Sequence, residues 1–355
     1  MPPATCFTGW DIGGVNTKVA RVTAAADSAR PLRVATRAYE IQRDPERLPR
    51  ILREMASAIG SGPEDLHAVT MTAELSQFFL TKRAGVSFVL EAVSEALPPE
   101  NCRVFATDGR FLSLAEAGAD PMAVAASNWA ATARWVARTS PDALLIDTGS
   151  TTTDLIPIVG GEVAALGRTD PERLASGELV YTGAVRTPVE AVAQEVWVRD
   201  ASVGVSAEGF ALTGDVYLWL DRLPEEAYDV PTPDGRPATR QYAGVRLARV
   251  ICGDREMLED AEITRIASSI AQAQVRRIGE AAARVRERHP TLREAVVCGL
   301  GDFIAMEGAQ YAGLRPTRLA DHLGADTSRV APAAAVAMLL AAATASPEVA
   351  GARSS

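Results

Sequence analysis

Asp11-Ile12-Gly13-Gly14-Val15-Asn16-Thr17-Lys18 and Asp147-Thr148-Gly149-Ser150-Thr151-Thr152-Thr153-Asp154 are two versions of one pattern. In each, an apolar run ends on an aspartate. A glycine turn carrying hydroxyl or amide side chains follows, and a second apolar run (19–22; 155–159) leaves it. Each therefore reads as a strand, a tight turn and a strand. Glycine has no Cβ to hold a ligand off, so the backbone N–H groups of such a turn can approach a phosphate closely. One hairpin of this kind says little. Two, each led by an aspartate, predict a duplicated fold that grips a polyphosphate between its halves.

The composition is compatible with that fold and narrows the partners. The 355 residues suffice for two domains with cores of their own. With 47% hydrophobic and 23% charged residues, the chain reads as an ordinary globular protein. A net charge of −9 argues against a nucleic-acid surface, which needs clustered Lys and Arg. An anionic substrate must then be held by local devices: glycine turns, a few cations, a metal ion. Cys6, Cys102, Cys252 and Cys298 have no metal-ligand spacing and read as small buried hydrophobes in a reducing compartment. His67, His289 and His322 are scattered. No apolar stretch reaches the ~20 residues that cross a bilayer; the closest, 331–343, is short and contains Pro332. The first residues lack a basic stretch followed by an apolar one. The expectation is a cytoplasmic protein with neither a nucleic-acid nor a membrane partner.

Periodicity predicts strands at 7–11, 17–22, 32–39, 68–72 and 102–106, with helices at 45–59, 85–97 and 121–138. The second part repeats the opening move, with strands at 144–146 and 155–159. A mixed, Gly-, Pro- and Thr-rich region follows at 166–240. Then come a long helix at 256–288, a strand at 294–298 and a last helix at 332–343. The expected division is 1–140, 141–345 and a flexible tail, 346–355, with the last helix packing back on the first half.

Candidate site residues follow from this layout. Asp11 and Asp147 sit where a strand enters its turn; facing each other, they would need a cation, and Mg²⁺ meets that need with oxygen ligands and phosphate bridging. Alone, either reads as a turn-stabilising side chain; together they favour metal and phosphate. Gly13, Gly14, Asn16, Thr17, Gly149, Ser150, Thr151 and Thr152 are the phosphate-binding candidates. Lys18 is either a point charge on phosphate or a solvated hairpin lysine. Gly299, Gly301 and Asp302 form a third turn, strand to helix, suited to a base or ribose, or a plain connection. Glu74 reads as a cleft base or a helix N-terminal acid, and Asp154 interrupts an apolar run. Asn128, inside a helix, is a mild misfit. Arg168, Arg173 and Arg186 are anion holders or, by default, solvated.

These residues resemble the superfamily of actin, sugar kinases and heat-shock-chaperone ATPases. Asp11–Lys18 is similar to its first phosphate motif, Asp147–Asp154 to its second and Gly299–Asp302 to its adenosine motif. Gly9–Lys18 is similar to the hydantoinase/oxoprolinase-like branch. Within that branch, Thr72-Ala73-Glu74-Leu75, residues 78–86, Ser127-Asn128-Trp129 and the second motif resemble one small family, the tetrahydromethanopterin-linked one-carbon transfer pathway proteins, with the archaeal methanofuran-biosynthesis transferases as relatives. The resemblance covers nearly the whole chain. It implies an α/β protein of two ribonuclease-H-like (actin/hexokinase-type) domains, mixed sheets flanking a cleft. It also implies a Mg²⁺-dependent reaction: an aminomethylfuran-methanol diphosphate loses diphosphate to the phenol of a tyramine or tyrosine unit, forming an ether. Asp11, Lys18, and Asp154 or Glu74 as proton acceptor would then be catalytic. An ATP-dependent kinase or amidohydrolase of the same fold is the alternative, with ATP not favoured; a chaperone-like binding protein ranks below both. The apolar run 216–220 reads as a contact between identical subunits or as core.

Overall fold

The computed structural model describes residues 6–23 and 33–345. In the first half, β1 (Cys6–Ile12), β2 (Asn16–Thr23), β3 (Arg33–Ala38), β4 (Leu66–Met71), β5 (Cys102–Phe105) and β6 (Phe111–Leu112) form a sheet in the order β3-β2-β1-β4-β5-β6. The second half contributes β7 (Ala143–Thr148), β8 (Thr153–Val159), β9 (Glu162–Val163) and β10 (Leu179–Val180). A separate hairpin, β11 (Glu195–Val198) with β12 (Ala201–Gly204), precedes β13 (Glu294–Cys298) and β14 (Arg315–Arg318). The second sheet runs β10-β8-β7-β13-β14, with β9 beside β8.

The two sheets repeat one topology. β1 pairs antiparallel with β2 and parallel with β4; β7 pairs antiparallel with β8 and parallel with β13. β4 and β13 each continue to a parallel neighbour. This is the ribonuclease-H-like order, present twice. β1 and β7 lie inside their sheets with both faces covered, which is why their sequences, CFTGWDI and ALLIDT, read as nearly continuous apolar runs up to the aspartate.

Each half has its own core. Trp10, Ile12 and Val19 pack with Ile51, Leu52, Val86 and Val89 in the first. In the second, Ile263, Ile266, Ile270 and Ile278 of the Asp260–Arg288 helix pack with Val216, Tyr217, Trp219 and Leu247. A third core joins the halves: Phe7, Val22 and Ala68 on one side, Leu145, Ile156 and Val296 on the other, with the Asn128–Ala137 and Ala331–Ala345 helices packed among them. The last helix lies on β1 and β2. Its alanines allow that close approach, and Pro332 sits in its first turn, where the missing N–H costs nothing.

Several expectations are corrected. The helix expected at 121–138 is broken: Pro121–Val124 and Asn128–Ala137 are separate, and between them Ala126 takes a left-handed conformation, φ 50°. Asn128 is therefore the first residue of a helix, not an interior misfit. Of the two readings of the 216–220 run, core holds for Val216 to Trp219, all buried within the Thr213–Trp219 helix. The mixed region holds a helix, Asp170–Ser176, closed at its start by reciprocal Thr169 and Glu172 contacts. β14 (RPTR) is a polar strand at the end of its sheet with no alternation to betray it. Cys102 and Cys298 are buried as expected; Cys252 is exposed. The 346–355 tail lies outside the described residues.

Candidate active site

Strand register makes the two glycine turns equivalent. Asp11 lies opposite Lys18 across β1 and β2, and Asp147 lies opposite Asp154 across β7 and β8. The Gly13 amide donates to the Asn16 carbonyl (3.0 Å) and the Gly149 amide to the Thr152 carbonyl (2.9 Å), at the same offsets from the leading aspartates. Among the described residues, the amides of Gly14, Val15, Ser150 and Thr151 donate to no backbone carbonyl, which leaves them for a ligand. Thr17 Oγ1 and Asn16 Oδ1 are buried without a hydrogen-bond partner, as is Oδ1 of Asp11.

The aspartates face a common point. Lys18 Nζ lies 3.4 Å from Asp11 Oδ2. Burial pulls the Lys18 ammonium down, but Asp11 and Asp147 together outweigh it, so its pKa is raised and it stays charged. Burial raises the Asp11 carboxyl against the pull of Lys18. Asp147 is pushed up to about 6, by burial first and then by Asp154 and Asp11. Cys298, the neighbour of Asp147 across β7 and β13, holds its thiol beside that carboxylate. Two carboxylates, Asp11 and Asp147, thus share one ammonium where the two turns meet, with Asp154 beside Asp147.

From Asp154 a chain of ion pairs crosses the molecule. Asp154 is bound by Arg173, a buried arginine whose guanidinium lies 4.5 Å from the Trp129 ring centroid. Arg173 also lies 3.8 Å from Asp170, and Asp170 accepts from Lys82 Nζ at 2.7 Å. Lys82 in turn lies 3.9 Å from Glu74. Glu74 is buried, and burial pushes its carboxyl up to about 7 against the pull of nearby backbone amides and of Lys82. The turn that carries Glu74 is fixed beside the first glycine turn: Thr72 donates to the Ile12 carbonyl, and a side chain on Gly14 would touch Ser76 and Ala73. Glu74, Asp154, Asp11 and Asp147 therefore belong to one connected group of charges.

The second turn is braced from below. Ala184, Val185 and Arg186 donate to the Gly149 and Ser150 carbonyls. Gly183 lies so close that a Cβ there would stand 2.5 Å from the Thr151 nitrogen. Gln274, buried in the long helix, donates to Thr182 Oγ1 and to the Gly183 carbonyl (both 2.8 Å) and accepts from the Tyr217 hydroxyl (2.7 Å).

The third turn adjoins the second. Gly299 has φ +91°, a conformation that suits glycine, and a side chain there would fall on Asp147 Oδ1. The Gly301 amide donates to the Thr148 carbonyl (2.8 Å). Asp302 is held by Arg318 at 3.2 Å. Asn128 is half-buried beside Ser127, whose hydroxyl meets Thr70 at 2.9 Å. Arg168 is exposed and Arg186 half-buried, whereas the default of a solvated side chain fails for Arg173. Lys82, Asp170 and Gln274 escaped sequence reasoning. Lys82 lies in a stretch quoted for its resemblance, and a glutamine in a long apolar helix face was the one local signal for Gln274.

Among the described residues no group of three or more His, Cys, Asp or Glu side chains is placed to hold a metal ion. Asp11 and Asp147 nonetheless fit a hard cation that takes its remaining ligands from phosphate and water: both present carboxylate oxygens, and Oδ1 of Asp11 is buried and unpaired.

A model of the hydantoinase/oxoprolinase family matches residues 65–343. The chain belongs to that family. A curated relative from Methanocaldococcus jannaschii, named (4-{4-[2-(gamma-L-glutamylamino)ethyl]phenoxymethyl}furan-2-yl)methanamine synthase, is 35% identical over 335 residues, 94% of this chain and 96% of its own. A relative of the same name from Methanococcus vannielii is 35% identical over 201 residues, 56% of this chain and 90% of its own. Among solved structures, component A of (R)-2-hydroxyglutaryl-CoA dehydratase from Acidaminococcus fermentans aligns with a TM-score of 0.50 at 9% identity, covering 97% of this chain and 100% of that one. A nucleotide-free acetone carboxylase aligns with a TM-score of 0.57 at 12% identity, covering 93% and 70%. These two share the fold. No described helix is long and apolar enough to cross a membrane.

Proposed function

We propose that this family member is a transferase of methanofuran-type cofactor biosynthesis. It joins the phenol oxygen of a tyramine or tyrosine unit to an aminomethylfuranylmethyl group and releases diphosphate. The observation that carries the reading is the convergence of two phosphate-type turns in a chain 35% identical, along 94% of its length, to a synthase whose name spells a phenoxymethyl-furan ether.

The chemistry follows from the residues. The bond between the furanylmethyl carbon and the diphosphate oxygen breaks, and its electron pair leaves with diphosphate. The furan ring oxygen stabilises the cationic carbon by resonance. The phenol oxygen forms the new bond and gives up its proton. The protein's largest task is then to stabilise the departing anion, which the free amides of both turns and Lys18 do by preorganised charge. Mg²⁺, held by Asp11 and Asp147, would supply further neutralisation of the leaving group. Asp154 is already bound by Arg173, so acceptance of the phenol proton falls to Glu74, whose raised pKa suits a base at neutral pH. A cytoplasmic location belongs to the same reading.

The test is incubation with Mg²⁺, synthetic aminomethylfuranylmethyl diphosphate and either γ-glutamyltyramine or tyrosine, following products by mass. An ether and an equal amount of diphosphate are expected. No ether with either acceptor, and ATP hydrolysis instead, overturns the reading in favour of an ATP-dependent kinase or amidohydrolase.

A further inference from the structure

Lys82 belongs to neither glycine turn. It is the first residue of the Lys82–Ala96 helix, whose start is capped by Thr81 through the Ala84 amide (3.1 Å). Its ammonium sits between two carboxylates, 2.7 Å from Asp170 and 3.9 Å from Glu74. The side chains of Lys82 and Asp170 keep 22% and 17% exposure while that of Glu74 has none, so the ion pair covers the buried acid. The pair also joins the two halves, because Lys82 belongs to the first and Asp170 to the second.

The other cation here is not free to move. Arg173 is buried, bound to Asp154, near Asp170 and stacked over Trp129. Lys82, unbranched and partly solvated, can exchange partners. Both oxygens of Glu74 are buried, and one lies 3.9 Å from the Lys82 ammonium, close enough for the two side chains to act on one bound group.

We propose that Lys82 is a further catalytic residue, which exchanges Asp170 for the acceptor and donates a hydrogen bond to its phenol oxygen while Glu74 takes the phenolic proton. This rests on the etherification reading above. In the step, the O–H bond of the phenol breaks toward Glu74 and the oxygen's electron pair forms the C–O bond. The C–O bond to diphosphate breaks, with its pair departing on diphosphate. Lys82 keeps its proton throughout and stabilises the developing phenolate, whose parent group has a pKa near ~10. When the ether leaves, its ammonium returns to Asp170.

Kinetics with a series of ring-fluorinated tyramine acceptors of falling phenol pKa test this. With Lys82→Met, kcat for the unsubstituted acceptor should fall on the order of 100-fold. The most acidic acceptor should recover most of that loss, the KM for the diphosphate donor should stay near the wild-type value, and Lys82→Arg should restore part of the rate. Unchanged diphosphate binding verifies the fold of each variant. A Lys82→Met protein that is unimpaired, or equally slow with every acceptor, overturns the proposal. Absence of ether from the wild-type protein instead overturns the reading on which it rests.

Discussion

Burial and charge act in opposite directions on Glu74 and on Lys18. Glu74 is buried, with the Lys82 ammonium 3.9 Å away, and burial pushes its carboxyl up to about 7. As a base it works ionised, so the rate should rise with pH through about 7, and Glu74→Gln should remove that limb and cost roughly 100-fold or more in kcat. The same shift has a stability sign. Between about 4.5 and 7 the unfolded chain ionises Glu74 while the folded chain keeps it protonated, so the wild type loses stability as pH rises through that window, by about 3 kcal/mol at most. Melting curves should therefore find Glu74→Gln more stable than the wild type at pH 8 and nearly equal to it at pH 4. Lys18 is held charged by its aspartates. Lys18→Ala should weaken diphosphate binding by roughly 10- to 100-fold, the range of a charged hydrogen bond, as read by calorimetric titration. At this scale Asp11, Asp147, Lys18 and Glu74 were legible because turn and strand signals flank them. Arg173 was not: nothing local separates a buried arginine from a solvated one, and its burial is set by Asp154 and Trp129, far away in sequence.

The elements that position the turns make a second set of demands. Gln274 ties the long helix to the segment under the second turn through Thr182 and Gly183. Gln274→Leu removes one donor from each of those acceptors, which keep Thr187 and Thr213 as partners, and leaves the buried Tyr217 hydroxyl without its acceptor. It should cost about 2–3 kcal/mol of stability by chemical denaturation and loosen diphosphate binding, while leaving the dependence of rate on phenol pKa unchanged. Gly183→Ala should weaken binding more selectively, since its Cβ would displace Thr151. Strands β1, β2, β7, β8 and β13 were readable because apolar runs end at a glycine turn. The break at Ala126 was not, because an alanine in a left-handed conformation carries no composition signal and tertiary packing decides it. β14 escaped for the same kind of reason: Arg-Pro-Thr-Arg has no apolar alternation, and its partner β13 supplies the pairing.

Across the whole molecule, the account depends on two sheets of one topology joined by a shared core in which alanine-rich helices pack. Gly9 of β1 lies against Ala333, and a Cβ there would fall on the Ala333 carbonyl oxygen. Gly9→Ala should therefore force the last helix off the sheet, with a loss of about 3 kcal/mol in denaturant unfolding and weaker diphosphate binding, because the two turns lose their alignment. The duplication was legible from two short motifs, whereas the ion-pair chain from Asp154 to Glu74 became visible only when both halves were in place. The most direct measurement of the central claim is a single turnover with an acceptor whose phenolic oxygen is labelled with ¹⁸O. The account predicts that all the label is retained in the ether and that the released diphosphate carries none. Label in the diphosphate, or no ether while ATP is consumed, would contradict it.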